Sequence, residues 1–112
     1  MATMATWEDF EKLDIRVGTV LEACAFPEAR RPAYQLTIDF GITIGIKHTS
    51  AQLTECYLPS DLLNKQVLAV VNFPPRIIAG FVSEVLVLGT YSPQGVVLAV
   101  PQQPVKNGDK LG

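Results

Sequence analysis

The sequence has no long apolar run. The longest, Val67–Val71 and Val96–Val100, reach five residues, against the roughly 20 that a membrane-crossing helix needs. Met1–Phe10 holds Glu8 and Asp9 and no positive patch leading into an apolar core. No export signal is read there, and the expected location is the cytoplasm, without membrane insertion. Cysteine is scarce as well. Cys24 and Cys56 stand outside any Cys-x-x-Cys pair, and without an export signal they are expected as free thiols. His48 is the single histidine, so the ligand set of a structural zinc is missing. The same scarcity argues against catalysis, because a nucleophile would need Cys24 or Cys56 beside His48 and an orienting carboxylate. His48 reads instead as a surface or interface residue at a strand end. No glycine-rich phosphate loop is present either, so neither enzyme activity nor a cofactor is expected. Positive charge is also short: 9 Lys+Arg face 11 Asp+Glu, a net charge of −2. That argues against tight binding of nucleic acid by charge alone and leaves room for a local basic patch.

What is present suits one domain over residues 1–112. Hydrophobic residues make up 48% of the 112, and charged residues 18%, enough apolar material for a core and too little charge for disorder. Thr6 followed by Asp9 predicts a capped helical turn that puts Trp7 and Phe10 on one face. They either clamp the N-terminal segment to the core or dock on another subunit. From Leu13 the period becomes two, with Leu13, Ile15 and Val17 opposite Asp14, Arg16 and Gly18. This first strand is expected to reach about Cys24, with Gly18 permitting a bend. Phe26–Pro32 is a connector whose Arg30 and Arg31 read as solvated surface. Tyr34–Phe40 alternates as a second strand. Gly41 turns the chain into a third, with Ile42, Ile44 and Ile46 opposite Thr43, Gly45 and Lys47. Ser50–Cys56 suits a short helix capped by Thr49 or Ser50, and Pro59–Asn64 a further turn. Val67–Val71 and Val85–Leu88 are the fourth and fifth strands, and Val96–Val100 leads into a turn-rich tail. Five strands with a short helix between the third and fourth is the layout of an all-β OB-fold barrel, here with N- and C-terminal extensions.

The segment Asn72–Ser83, between the last two strands, is the first candidate for a binding surface. Pro74 and Pro75 stop the fourth strand, since proline lacks the N–H a ladder needs. Gly80 suits a chain reversal. An ordered loop exposing Phe73, Phe81 and Arg76 is expected. Phe73, Pro74, Ile77, Ile78 and Phe81 would line an apolar groove for polypeptide, with Arg16, Lys47 and Arg76 at its rim. For RNA, aromatics in a groove stack on bases, Asn72 and Ser83 would offer hydrogen bonds, and Arg16, Lys47 and Arg76 would meet phosphates. The three C-terminal runs are apolar on both faces, more than one small barrel can hide. A two-fold homodimer covering their outer faces is expected, the alternative being cover by the terminal segments of the same chain.

Two stretches carry a likeness. Phe10-Glu11-Lys12-Leu13-Asp14-Ile15-Arg16-Val17-Gly18 and Val70-Val71-Asn72-Phe73-Pro74-Pro75-Arg76-Ile77-Ile78-Ala79-Gly80-Phe81-Val82-Ser83-Glu84 resemble the tRNA-binding domain family, OB folds that occur alone or appended to tRNA synthetases. The likeness extends through IDFGITIGIKHTSAQLT and Gln103-Pro104-Val105 to the family's small export chaperones. It implies a cytosolic homodimer linked to protein export that binds unfolded or precursor polypeptides, with tRNA as a further partner. Arg76, Ser83 and Asn72 match the family pattern. Ile77 and Val82 stand where it often has basic or polar residues, and Val85 falls near an expected Met.

Overall fold

In the computed structural model, residues 3–112 are described. Their first element is α1 (Trp7–Glu11), closed by the expected box: Thr6 N–H donates to Asp9 Oδ2 at 2.9 Å and Asp9 N–H to Thr6 Oγ1 at 3.2 Å. Neither aromatic clamps it to the barrel, since Trp7 is 87% exposed and Phe10 41%.

The long alternating stretch after it becomes β1 (Ile15–Ala25), the centre of the fold. Its second half pairs antiparallel with β2 (Tyr34–Asp39) and its first half with β4 (Gln66–Val70). One strand thus serves two neighbours, which requires it to curve. Gly18 makes that possible, because a Cβ there would lie 2.6 Å from Ile38 Cγ2 and 2.7 Å from the Phe40 ring. An irregularity between Val20 and Glu22 adds the local bend typical of a β-bulge. With β3 (Ile46–Ala51) beyond β2 and β7 (Leu86–Val87) beyond β4, the sheet order is β3-β2-β1-β4-β7. The sheet curls until its ends meet. Glu84 N–H donates to the His48 carbonyl at 2.8 Å, and Ser50 N–H to Ser83 Oγ at 3.0 Å. The result is a nearly closed five-stranded antiparallel OB-type barrel, filled by Val20, Leu36, Ile38, Phe40, Leu62 and Val67.

Two expected elements differ. The third strand was expected from Ile42, but residues 42–44 are a turn and Ile42 is fully exposed. Gly41 and Gly45 both take positive φ (91° and 84°), Gly45 N–H donates to the Gly41 carbonyl at 2.7 Å, and Asp39 Oδ1 accepts from Gly41 N–H at 2.8 Å. Turn chemistry overrides the isoleucine alternation. The helix expected over Ser50–Cys56 does not form, since Ser50 and Ala51 still pair with Gln35 and Tyr34 in the sheet. The further turn expected over Pro59–Asn64 does form, as α2 (Pro59–Leu62), where Pro59 occupies the first turn and Asp61 accepts from Leu58 N–H at 2.8 Å.

The segment expected as a loop is a hairpin. Arg76–Ile78 (β5) and Phe81–Ser83 (β6) pair antiparallel through the two-residue turn Ala79-Gly80, with positive φ at both, the geometry that suits the twist of hairpin strands. A second hairpin, β8 (Gly89–Ser92) with β9 (Gly95–Leu98), takes up part of the last apolar run. The apolar surplus divides accordingly. Val67, Ala69, Val70 and Val85 are buried within the chain, whereas Leu86, Val97, Val100 and Tyr91 are exposed.

Candidate binding site

OB barrels bind through the face of their second and third strands and the two loops flanking it. Here those loops are the β1–β2 connector, residues 26–33, and the segment 71–85 that contains β5 and β6. They touch. Phe26 is buried, and its ring meets Phe81 edge-on at a centroid distance of 5.4 Å, a favoured aromatic geometry. This contact fixes the hairpin against a connector that carries exposed Arg30 and Arg31, while exposed Arg76 stands on β5. A recess of about 350 Å³ beside it is lined by Phe26, Pro27, Arg30, Pro32 and Tyr34 among others. Of the connector arginines, read from sequence as plain surface, Arg30 therefore lines a recess. Nothing local in the sequence announces that this connector meets the hairpin, because the Phe26–Phe81 contact spans two distant segments.

The expected apolar set divides. Phe73 (43% exposed) and Ile77 (76%) present themselves to solvent, as does Pro74. Ile78 and Phe81 form a cross-strand pair and are half-buried, so Phe81 anchors the hairpin through Phe26 and is less open than expected. Val82, absent from the expected set, lies directly opposite Ile77 and is 48% exposed. The two form an outward apolar step one residue from the turn. Period-two reading of the hairpin would have found it.

The expected polar set is committed inside the fold, Arg76 excepted. Asn72 Oδ1 accepts from Asp14 N–H at 2.8 Å and its amide donates to the Lys12 carbonyl at 2.8 Å, pinning the entry of β1 to the exit of β4. Ser83 is buried, with its hydroxyl 3.1 Å from Thr49 Oγ1 and accepting from Ser50 N–H. Arg16 donates to Asp14 Oδ1 at 2.6 Å and to the Gly108 carbonyl at 2.9 Å. Lys47 lies 3.8 Å from Glu84 Oε2, and Glu84 Oε1 accepts from His48 N–H at 2.9 Å. These residues do not converge on one open face. Thr49, at the junction of β3 and β6, donates to the Val85 carbonyl at 2.7 Å and completes the seam that closes the barrel.

The thiols stand apart from His48. Cys24 is exposed and contacts Gln35, Cys56 contacts the Gln94 carbonyl, and His48 Nδ1 meets Thr37 Oγ1 at 3.2 Å. A second, larger groove of about 710 Å³ lies between α2, the start of β4, the end of β9 and the Pro101–Pro104 turn. Leu62, Lys65, Gln66, Leu98 and Pro104 are among its walls.

The barrel and its two bridged loops define a protein of the OB-fold class. The chain belongs to the putative tRNA-binding domain family, whose model matches residues 15–110. Two solved structures resemble it over nearly its whole length. The CsaA chaperone protein of Picrophilus torridus is 51% identical, with a TM-score of 0.93 over 97% of this chain and 100% of that one. The chaperone CsaA of Bacillus anthracis is 52% identical, with a TM-score of 0.91 over 98% and 100%. Among curated relatives, the methionine–tRNA ligase of Pyrococcus horikoshii is 35% identical over 94% of this chain, which spans 14% of the ligase.

Proposed function

We propose that the protein is a polypeptide-binding chaperone of the CsaA kind, active as a homodimer and serving unfolded or precursor chains bound for export. The observation that carries this reading is the outward face of the β5–β6 hairpin, where Ile77 and Val82 stand exposed, with exposed Phe73 in the segment leading into it. Burying apolar surface yields about 25 cal/mol per Å² whatever sequence supplies it, so such a face takes many partners. The identity to two CsaA chaperones over full-length matches supports it. Other exposed apolar residues, Trp7, Phe10, Leu86, Tyr91, Val97 and Val100 among them, suit the subunit contact of a homodimer. Titrating the protein into an aggregating client tests the proposal. Aggregation should fall as protein is added, and Ile77→Ser with Val82→Ser should abolish the effect while leaving the melting temperature near that of the parent. A client that aggregates at the same rate at every protein concentration refutes it.

A second reading, a tRNA-binding module, is favoured by the exposed Arg30, Arg31 and Arg76 on the two loops bridged by Phe26 and Phe81. Phosphate contacts weaken steeply as salt rises. A tRNA mobility shift lost between low and moderate salt, and lost in Arg30→Glu with Arg31→Glu, would support it.

A further inference from the structure

We propose that the edge of β1 at Ile15–Val17 is a strand-addition site for extended polypeptide, held in this structure by the protein's own tail; the proposal rests on the polypeptide-binding reading above. β2 parts from β1 at Thr19, leaving the main-chain groups of Ile15 and Val17 on that edge for another partner. Residues 108–111 take them. Val17 N–H donates to the Asp109 carbonyl at 3.0 Å, Gly108 N–H to the Val17 carbonyl at 2.8 Å, and Leu111 N–H to the Ile15 carbonyl at 2.9 Å. Gly108 and Asp109 together oppose Val17, with Gly108 at φ +93°, the pattern of a glycine bulge.

The anchorage is to the backbone. The side chains of Val105, Lys106, Asp109, Lys110 and Leu111 are exposed, and none joins the barrel core. Gln66 clamps the main chain of Val105, its amide donating to the carbonyl at 2.6 Å and its Oε1 accepting from the N–H at 3.0 Å. Arg16 holds the Gly108 carbonyl, and Thr19 Oγ1 donates to Asn107 Oδ1 at 2.7 Å. A slot that reads N–H and C=O groups recognises any extended chain, the mode by which peptides add to sheet edges. One wall restricts it. A Cβ on Gly108 would lie 2.7 Å from the Phe40 carbonyl oxygen, so the segment it fits is extended, with glycine at that register. The tail runs antiparallel to β1, with Leu111 opposite Ile15, so a longer occupant would continue toward Leu13.

The tail competes with the client, and the apparent Kd rises as the open fraction falls. A reversible lock tests this. Arg16 and Lys110 face each other as a non-hydrogen-bonded pair, whose Cα atoms lie about 4.5 Å apart, within disulfide reach. In a Cys24→Ser, Cys56→Ser background, Arg16→Cys with Lys110→Cys fastens the tail on oxidation. Binding of a labelled, glycine-containing unfolded peptide should weaken about tenfold when oxidised and recover when reduced. Removing residues 107–112 should tighten it. Equal affinity of oxidised and reduced forms, with the parent binding normally, overturns the proposal and leaves the polypeptide-binding reading intact. Failure of every form to bind peptide overturns both. A disulfide joining two chains on a non-reducing gel shows the tail exchanged between copies and overturns the occupancy within one chain.

Discussion

Removing one hydroxyl should loosen the barrel. Thr49 is fully buried, donates to the Val85 carbonyl at 2.7 Å and stands 3.1 Å from Ser83 Oγ. These bonds join β3 to the strand segment that follows the β5–β6 hairpin, where the sheet has only a few ladder bonds to close it. Thr49→Val keeps the shape and removes the donor. The Val85 carbonyl is left in a dry interior without this partner, at a cost of about 1–3 kcal/mol. For a chain of this length about 4 °C of melting temperature goes with each kcal/mol, so a fall of about 4–12 °C is expected by circular dichroism. Ser83→Ala alone should cost less, because Ser50 is half-buried and water can replace the Ser83 hydroxyl as acceptor for its N–H. The double variant should show a coupling of at least about 0.5 kcal/mol, as neighbours sharing a network do. If Thr49→Val unfolds within about 0.5 kcal/mol of the parent and the cycle is additive, the seam contributes nothing and barrel closure rests on packing alone.

Gly18→Ala forces a methyl to within 2.7 Å of Ile38 and Phe40 and should destabilise by about 1–3 kcal/mol through overpacking, read from urea unfolding. Asn72→Ala frees Lys12 and Asp14 from two 2.8 Å bonds, so the Asp14 amide should exchange with solvent faster, while amides in the centre of β1 keep their protection. Light scattering should give the mass of a dimer, and Trp7→Ser with Tyr91→Ser should shift it toward the monomer if these exposed residues, 87% and 96%, form the contact.

The barrel could be read from the sequence where pattern and chemistry agreed. β1 and β2 alternate and lie where alternation puts them, and the Thr6–Asp9 box closes as written. The reading missed where a local device outranked the pattern. Gly41 and Gly45 turned an alternating isoleucine run into a turn, and pairing with β2 held Ser50 and Ala51 in the sheet where a helix start was expected. The site was harder. The type of residue in Asn72–Ser83 marks a surface, but which polar groups remain free depends on partners remote in sequence. Asn72 is spent on residues 58 and 60 positions away, and Ser83 on one 33 away. Such pairings leave no periodic trace. Arg30 and Arg31 carry no local mark either, since the Phe26–Phe81 contact that brings their connector to the hairpin joins segments remote in sequence.

That contact also joins the surfaces proposed for the two ligand classes. Polypeptide would use the outer step of the hairpin, Ile77 and Val82, whereas RNA would use exposed Arg30, Arg31 and Arg76. The two sets lie on elements that Phe26 and Phe81 hold together. Ile77→Ser should weaken polypeptide binding and spare tRNA, and Arg76→Glu should do the reverse. Phe81→Ala removes an aromatic pair worth about 0.5–1.5 kcal/mol beyond its buried area and releases the hairpin from the connector, so both ligands should weaken together. If one surface serves both, labelled unfolded peptide is displaced by unlabelled tRNA in proportion to occupancy. Peptide that stays bound in saturating tRNA, with Phe81→Ala affecting one ligand alone, would show that the hairpin and the arginines act as separate sites.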